Sequence, residues 1–182
     1  MNEPAAPPQP PITTALSRGA GASFCELAAR FLEEYEEKIA LVLRELPADR
    51  LWWRPAPGTN SAGNLVLHLC GNLSLWVLAA VGGEPYSRHR AAEFAADGGH
   101  DGEELAARLH GVVSRCAATL RRLPPEAVAR PVEVQGYSLD VQAAVFHAVE
   151  HMSYHTGQLL FLLKQSLPAG RTLELYPQHR GE

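Results

Sequence analysis

The 182-residue chain has no excess of positive charge: 16 lysines and arginines stand against 20 aspartates and glutamates, for a formal net charge of −4. Phosphate recognition depends on concentrated positive charge, and the arginines here are scattered, so nucleic acid is not an expected partner. Cysteine is scarce as well. Cys25, Cys70 and Cys116 are odd in number, far apart and each set in an apolar helical pattern. That argues against a disulfide framework and for reduced thiols in a cytoplasm. The first eleven residues, MNEPAAPPQPP, lack the positive start and apolar run of a secretory signal, and read as part of a flexible proline-rich leader over residues 1–22. The longest apolar stretches are interrupted by His68 and Asn72, in residues 65–81, or are too short, in residues 159–163, so no membrane-spanning segment is expected. Internal repeats and strand-like alternation of convincing length are also missing.

What is there is helix. Residues 23–168 read as one domain, followed by a tail over residues 169–182. A chain of this length buries a core without disulfides or a structural metal, so a bound metal would serve function rather than folding. The first helix is expected over residues 23–46, with Ser23 as N-cap, Pro47 as stop, and Phe24, Leu27, Phe31, Tyr35, Ile39, Val42 and Leu46 recurring every three or four positions. The second starts at Asn60 or Ser61 and ends at Gly82-Gly83, with Leu65, His68, Asn72, Leu75 and Ala79 facing inward.

The third starts at Asp101, with Glu104 completing a capping box, and ends before Pro124. Its inward side chains are Leu105, Leu109, Val112, Val113, Cys116 and Leu120. The fourth starts near Ser138, has Asp140 in its first turn and runs to about Gln165. Its stripe is Val141, Val145, His147 or Ala148, His151, Met152, His155, Leu159 and Leu162. Residues 132–136 read as extended, but a lone strand cannot make a sheet. The connections exceed what bundle hairpins need, which implies at least one crossover. The fold class is therefore an all-α four-helix bundle.

Polar histidines interrupt two of the apolar seams. His151 and His155 stand four apart, so their Cβ atoms lie roughly 5–6 Å apart on one helix face, and His68 supplies a third ring if the two helices pack together. A single histidine on an apolar face is ordinarily a core residue bonded to a carbonyl, and His68 by itself supports no more. The pair is more informative, because two neutral buried imidazoles leave two acceptor nitrogens that a shared cation satisfies at once. Ligands from two helices with positions left open match catalytic zinc, and nickel and iron(II) also accept imidazole.

His147 extends the ladder to three, and spacing alone does not choose between the overlapping pairs; the helix drifts about 40° every four residues, so all three rings can hardly reach one ion. Glu150 is not between the histidines as in HExxH, which disfavours proteolysis. Asn72 and Gln158, each about one turn from a histidine, either line a pocket, hold a ligand ring or satisfy each other. Arg88-His89-Arg90 reads as a solvated loop, Trp52-Trp53 as a cover over the end of the core, and Cys70 as a small core residue. Gly71 and Gly157 read as places where helices approach closely.

The runs from Asn60 to Asn72 (NSAGNLVLHLCGN) and from Glu150 to Gln158 (EHMSYHTGQ) resemble the DinB-like superfamily, particularly its branch related to the bacillithiol transferases. The resemblance covers roughly residues 52–165, and extends loosely to Arg88, Glu93 and Phe94. It implies a four-helix bundle of crossed topology and a divalent metal (zinc, nickel or iron) held by His68, His151 and His155, with His147 a neighbour. It also implies a transferase in which a low-molecular-weight thiol, bound as thiolate, attacks a small electrophile. Two rivals accompany that expectation. One is a metal-dependent hydrolase in which Glu150 or a histidine moves protons; the other is a non-catalytic helical binding or stress-response module. The apolar side chains surrounding most of the second helix hint at a homodimer.

Overall fold

The computed structural model describes residues 23–168 and 171; the leader over residues 1–22 and the tail, apart from Arg171, lie outside the described residues. Among the described residues the fold contains five α-helices and one hairpin, in the order α1 (Phe24–Glu45), α2 (Ala62–Leu73), α3 (Arg90–Ala95), α4 (Gly102–Arg122), β1 (Pro131–Val134), β2 (Tyr137–Asp140) and α5 (Val141–Ser166). The caps follow the sequence. Ser23 Oγ accepts from the Glu26 amide at 3.2 Å, Ser61 and Asn64 form a capping box at the start of α2, and Asp101 and Glu104 form another at the start of α4.

Within the bundle, α1 and α2 each pack against both α4 and α5. Consecutive helices α1 and α2 therefore face each other across a diagonal, as do α4 and α5. This is the crossed connectivity that the long connections called for. The interior is filled by Leu32, Ile39, Leu69, Leu73, Leu105, Leu109, Leu120, Met152 and Leu159, all nearly or fully buried.

Three details differ from the sequence reading. The α2 helix continues past Leu73 as a π-helical stretch over Ser74–Val81, closed by a Gly82 amide that donates to the Val77 carbonyl five residues back at 2.9 Å. The extended piece near residue 132 is not alone: Val134 pairs with Tyr137 and Pro131 with Asp140 around a two-residue turn. Gln135 (φ 52°) and Gly136 (φ 81°) both adopt left-handed backbone, the conformation that two-residue hairpin turns require. Consequently Ser138 belongs to β2, and Asp140 is the N-cap of α5, its Oδ1 accepting from the Ala143 amide at 2.7 Å.

The segment Ala62–Val81 is long and apolar enough to cross a membrane, its interruptions notwithstanding, yet 83% of its most apolar window is buried inside the bundle. Every residue of Ala62–Leu73 is covered by its own chain. The apolar girth of this part of the helix is thus used internally.

Candidate metal centre

His68 projects from α2, and His151 and His155 from α5. The packing of these two helices brings the three rings together, with centroids 5.0 Å apart for His68 and His151, 5.1 Å for His68 and His155, and 4.5 Å for His151 and His155. One nitrogen from each lies within 4.8 Å of the others. Burial, the leading cause, holds His68 down to about 4 and His151 to about 3, and lowers His155 as well. All three are therefore neutral at pH 7, each offering one lone pair.

The other ring nitrogens decide where those lone pairs point. His155 Nδ1–H donates to Gln158 Oε1 at 2.7 Å, and His68 Nδ1–H donates to Glu93 Oε2 at 3.0 Å. Both assignments leave the Nε2 lone pair free, the arrangement in which imidazoles ligate metals. His68 Nε2 and His151 Nε2 are only 2.9 Å apart. Two arrangements satisfy this contact: His151 donates its proton to His68, or both lone pairs face a shared cation.

Glu93 is the residue that makes this side of the site. Burial alone would raise its pKa, but bonds from Arg88 and His68 hold it below the usual carboxylate range. Arg88 donates to it twice, Nε to Oε1 at 2.7 Å and Nη2 to Oε2 at 2.7 Å, and the same Nη2 reaches the His68 carbonyl at 3.3 Å. The short helix α3 that carries Glu93 is fixed by its carbonyls. Asn64 Nδ2 donates to the carbonyls of Glu93 (3.0 Å) and Ala96 (2.7 Å), and Arg54 Nη2 to those of Phe94 (2.9 Å) and Ala96 (3.2 Å).

Gly71 completes the fit, because a Cβ there would come within 2.8 Å of the Glu93 carboxyl carbon and 3.0 Å of Arg88 Nε. Arg88 is accordingly no solvated loop residue; its side chain is 6% exposed. Gly71 admits a carboxylate rather than a helix. Gly157 has open space around it, contrary to the close approach expected there.

A cavity of about 540 Å³ opens beside the triad, lined among others by His68, Asn72, Trp76, Arg90, His147 and His151. His147 packs at a tilt of 44° against Trp76, with centroids 4.1 Å apart, and stays outside the cluster of converging nitrogens. Asn72 faces the cavity, whereas Gln158 holds His155; the two do not satisfy each other. Glu150 is exposed and absent from the cavity wall, which leaves a histidine as the proton carrier of the hydrolase reading. Trp52 covers the core end, lying over Gly63 with its Nε1–H donating to the His100 carbonyl at 3.0 Å. Burial pushes the Cys70 and Cys116 thiols up to about 12, so neither is a nucleophile at neutral pH.

Sequence reasoning passed over Trp76 and assigned no role to Arg90 or Tyr137, all of which line the cavity. A signal for Trp76 existed: His68, Asn72 and Trp76 form an i, i+4, i+8 ladder along one helix face.

A crossed helical bundle with a triad of neutral histidines at one seam is the class that fold and site define. The chain belongs to the family described as protein of unknown function DUF1572, whose model matches residues 20–170. No curated protein sequence matches it. Among solved structures it is similar to a DinB-like protein from Bacillus cereus, at 16% identity and TM-score 0.62, over 79% of this chain and 96% of that one. It is also similar to a DinB-like protein from Bacillus subtilis, at 18% identity and TM-score 0.61, over 82% and 96%. A third likeness is to a variant of a mycothiol-dependent maleylpyruvate isomerase, at 14% identity and TM-score 0.56, over 76% of this chain and 63% of that one. These likenesses establish the DinB-like fold.

Proposed function

We propose that the protein is a transferase that uses a divalent metal held by His68, His151 and His155 to join a low-molecular-weight thiol to a small electrophile. The observation that carries this reading is the convergence of three neutral imidazoles, two of which, His68 and His151, line a cavity of about 540 Å³. The donor set fits the group: three nitrogen ligands suit zinc, nickel or iron(II) and leave coordination positions open. When bound, such an ion lowers the pKa of a thiol and keeps it as a nucleophilic thiolate at neutral pH.

The chain's own residues supply the rest. Glu93 and Gln158 orient the rings of His68 and His155 through their Nδ1–H groups, and Arg88 keeps Glu93 ionised. No protein nucleophile is required, which agrees with the inert buried cysteines. The fold-level neighbour that depends on mycothiol supports a thiol as co-substrate. Three free cysteines among the described residues accord with a reducing cytoplasm.

Full-length protein made without a histidine tag should take up about one zinc per chain in equilibrium dialysis. The loaded protein should conjugate a small thiol to 1-chloro-2,4-dinitrobenzene, forming the carbon–sulfur bond and releasing chloride and a proton. Zinc uptake far below one per chain, or release of the phenol with water in place of the thioether, would overturn the reading.

A further inference from the structure

Two polar atoms of the buried side chains around this cavity have no hydrogen-bond partner among the described residues: Asn72 Oδ1 and Trp76 Nε1. Their residues are 3% and 4% exposed, stand four apart along the helix that carries His68, and both line the cavity. Buried donors and acceptors are paired in the great majority of cases, so two orphans on one wall mark a place where the partner comes from outside. The indole N–H can only donate, so its partner is an acceptor; Asn72 Oδ1 needs a donor.

Charge narrows the class. The cavity lining contains two arginines and no aspartate or glutamate. Arg88 is committed to Glu93. Arg90 pairs with no carboxylate among the described residues, and its guanidinium lies over the Phe94 ring at 4.8 Å. A cation at the wall, a buried N–H and no competing acid suit a carboxylate, which accepts from both.

We propose that the cavity binds a small carboxylate whose neighbouring atom bears a hydrogen-bond donor, as in a 2-hydroxy acid. Both atoms are closed to solvent as the side chains stand, so binding turns the two side chains toward the cavity: one carboxylate oxygen then accepts from Trp76 Nε1–H, the other faces Arg90, and the adjacent O–H or N–H donates to Asn72 Oδ1. This deepens the transferase reading and rests on it for the role of the ligand, which is either the electrophile or the thiol itself.

The test uses the full chain, as purified and after chelation, with its indole N–H resonances followed by NMR; Trp76→Phe identifies the resonance of residue 76. Titration with 2-hydroxybutyrate should move that resonance downfield and saturate. Binding of 2-hydroxybutyramide should be at least about tenfold weaker, and Arg90→Gln, an exposed substitution, should weaken 2-hydroxybutyrate binding by about tenfold. Equal binding of acid and amide, an unmoved Trp76 resonance, or full affinity in Arg90→Gln would overturn the proposal. Butyrate binding as tightly as 2-hydroxybutyrate would overturn its donor half.

Saturation of zinc-loaded protein with the neutral thiol 2-mercaptoethanol assigns the source. Retained 2-hydroxybutyrate binding places the carboxylate on the electrophile, and displacement places it on the thiol. Zinc uptake on the same preparation separates the two readings. Acid binding without zinc uptake sinks the transferase and keeps the subsite, whereas zinc uptake without acid binding does the reverse.

Discussion

On the α1 and α4 side of the bundle, Leu32, Ile39 and Val42 line the interior together with Leu105, Leu109, Val113 and Leu120, all at most 1% exposed. Charges there are paired: Lys38 donates to Glu34 at 2.6 Å, and Arg121 on α4 reaches Glu33 on α1 with bonds of 2.7 and 2.8 Å. On the α2 and α5 side, His68, Asn72, Trp76, His151 and His155 bring polar atoms into the same interior, and two of those atoms are orphans. The first side buries one ion pair, Glu34 with Lys38, in which Glu34 Oε2 lacks a hydrogen-bond partner, and the second gathers more buried polar groups, with two such orphans. Unpaired polar groups oppose folding, so the second side is where stability is given up for function, and the first is what makes that tolerable.

Substitutions that exchange the properties of the two sides would break this contrast. His151→Ala should abolish zinc uptake while leaving helicity by circular dichroism nearly unchanged, whereas His147→Ala, on the outer side of the triad, should retain most of the zinc. Equal losses would mean that the three converging nitrogens are not the ligands. Leu109→Ala should do the opposite. Burial of this leucine is nearly complete, and a Leu→Ala cavity costs about 3 kcal/mol, read as a lowered urea midpoint. Its zinc affinity should stay within about twofold, since α4 gives no residue to the cavity.

Glu93→Gln sharpens the contrast at the level of the supporting shell. It removes the charge that holds Arg88 and orients His68, and should weaken zinc binding about tenfold in calorimetry and lower the melting temperature, because Arg88 is left buried without its carboxylate. Unchanged affinity would show that Glu93 only packs.

The smallest effect is one of pH on the metal-free protein. His68 and His151 are depressed to about 4 and about 3 in the folded state, against about 6.5 in an unfolded chain. As pH falls below about 6.5 the unfolded chain takes up these protons first, so folding stability is undiminished above that pH and declines toward pH 4. The melting temperature should drop by about 5 °C between pH 7 and pH 5, and His68→Gln should flatten that slope. A pH-independent melting temperature would contradict neutral burial of these rings.

Helix positions were legible in the sequence because caps and apolar stripes are local signals: Ser23, Ser61 and Asp101 each cap a helix as expected. The start of α5 was misplaced because Gln135-Gly136 disguises a hairpin turn whose second strand, Tyr137–Asp140, abuts the helix cap. The histidines were legible as a ladder, and His147 separates from the other three only once α2 is packed on α5. What Glu93, Arg88 and Trp76 do stayed hidden for a different reason, although the resemblance touched Arg88 and Glu93. Their roles depend on a glycine gap at residue 71, on carbonyl contacts that hold α3, and on a cavity wall, and none of these is written in the spacing of one segment.

The account turns on three imidazoles sharing one ion. Anomalous diffraction at the zinc edge, from crystals of full-length protein soaked in zinc, tests this directly. The account predicts one strong peak about 2.0–2.1 Å from a ring nitrogen of each of His68, His151 and His155. A peak bound to His147 in place of His155, or no peak between α2 and α5, would contradict it.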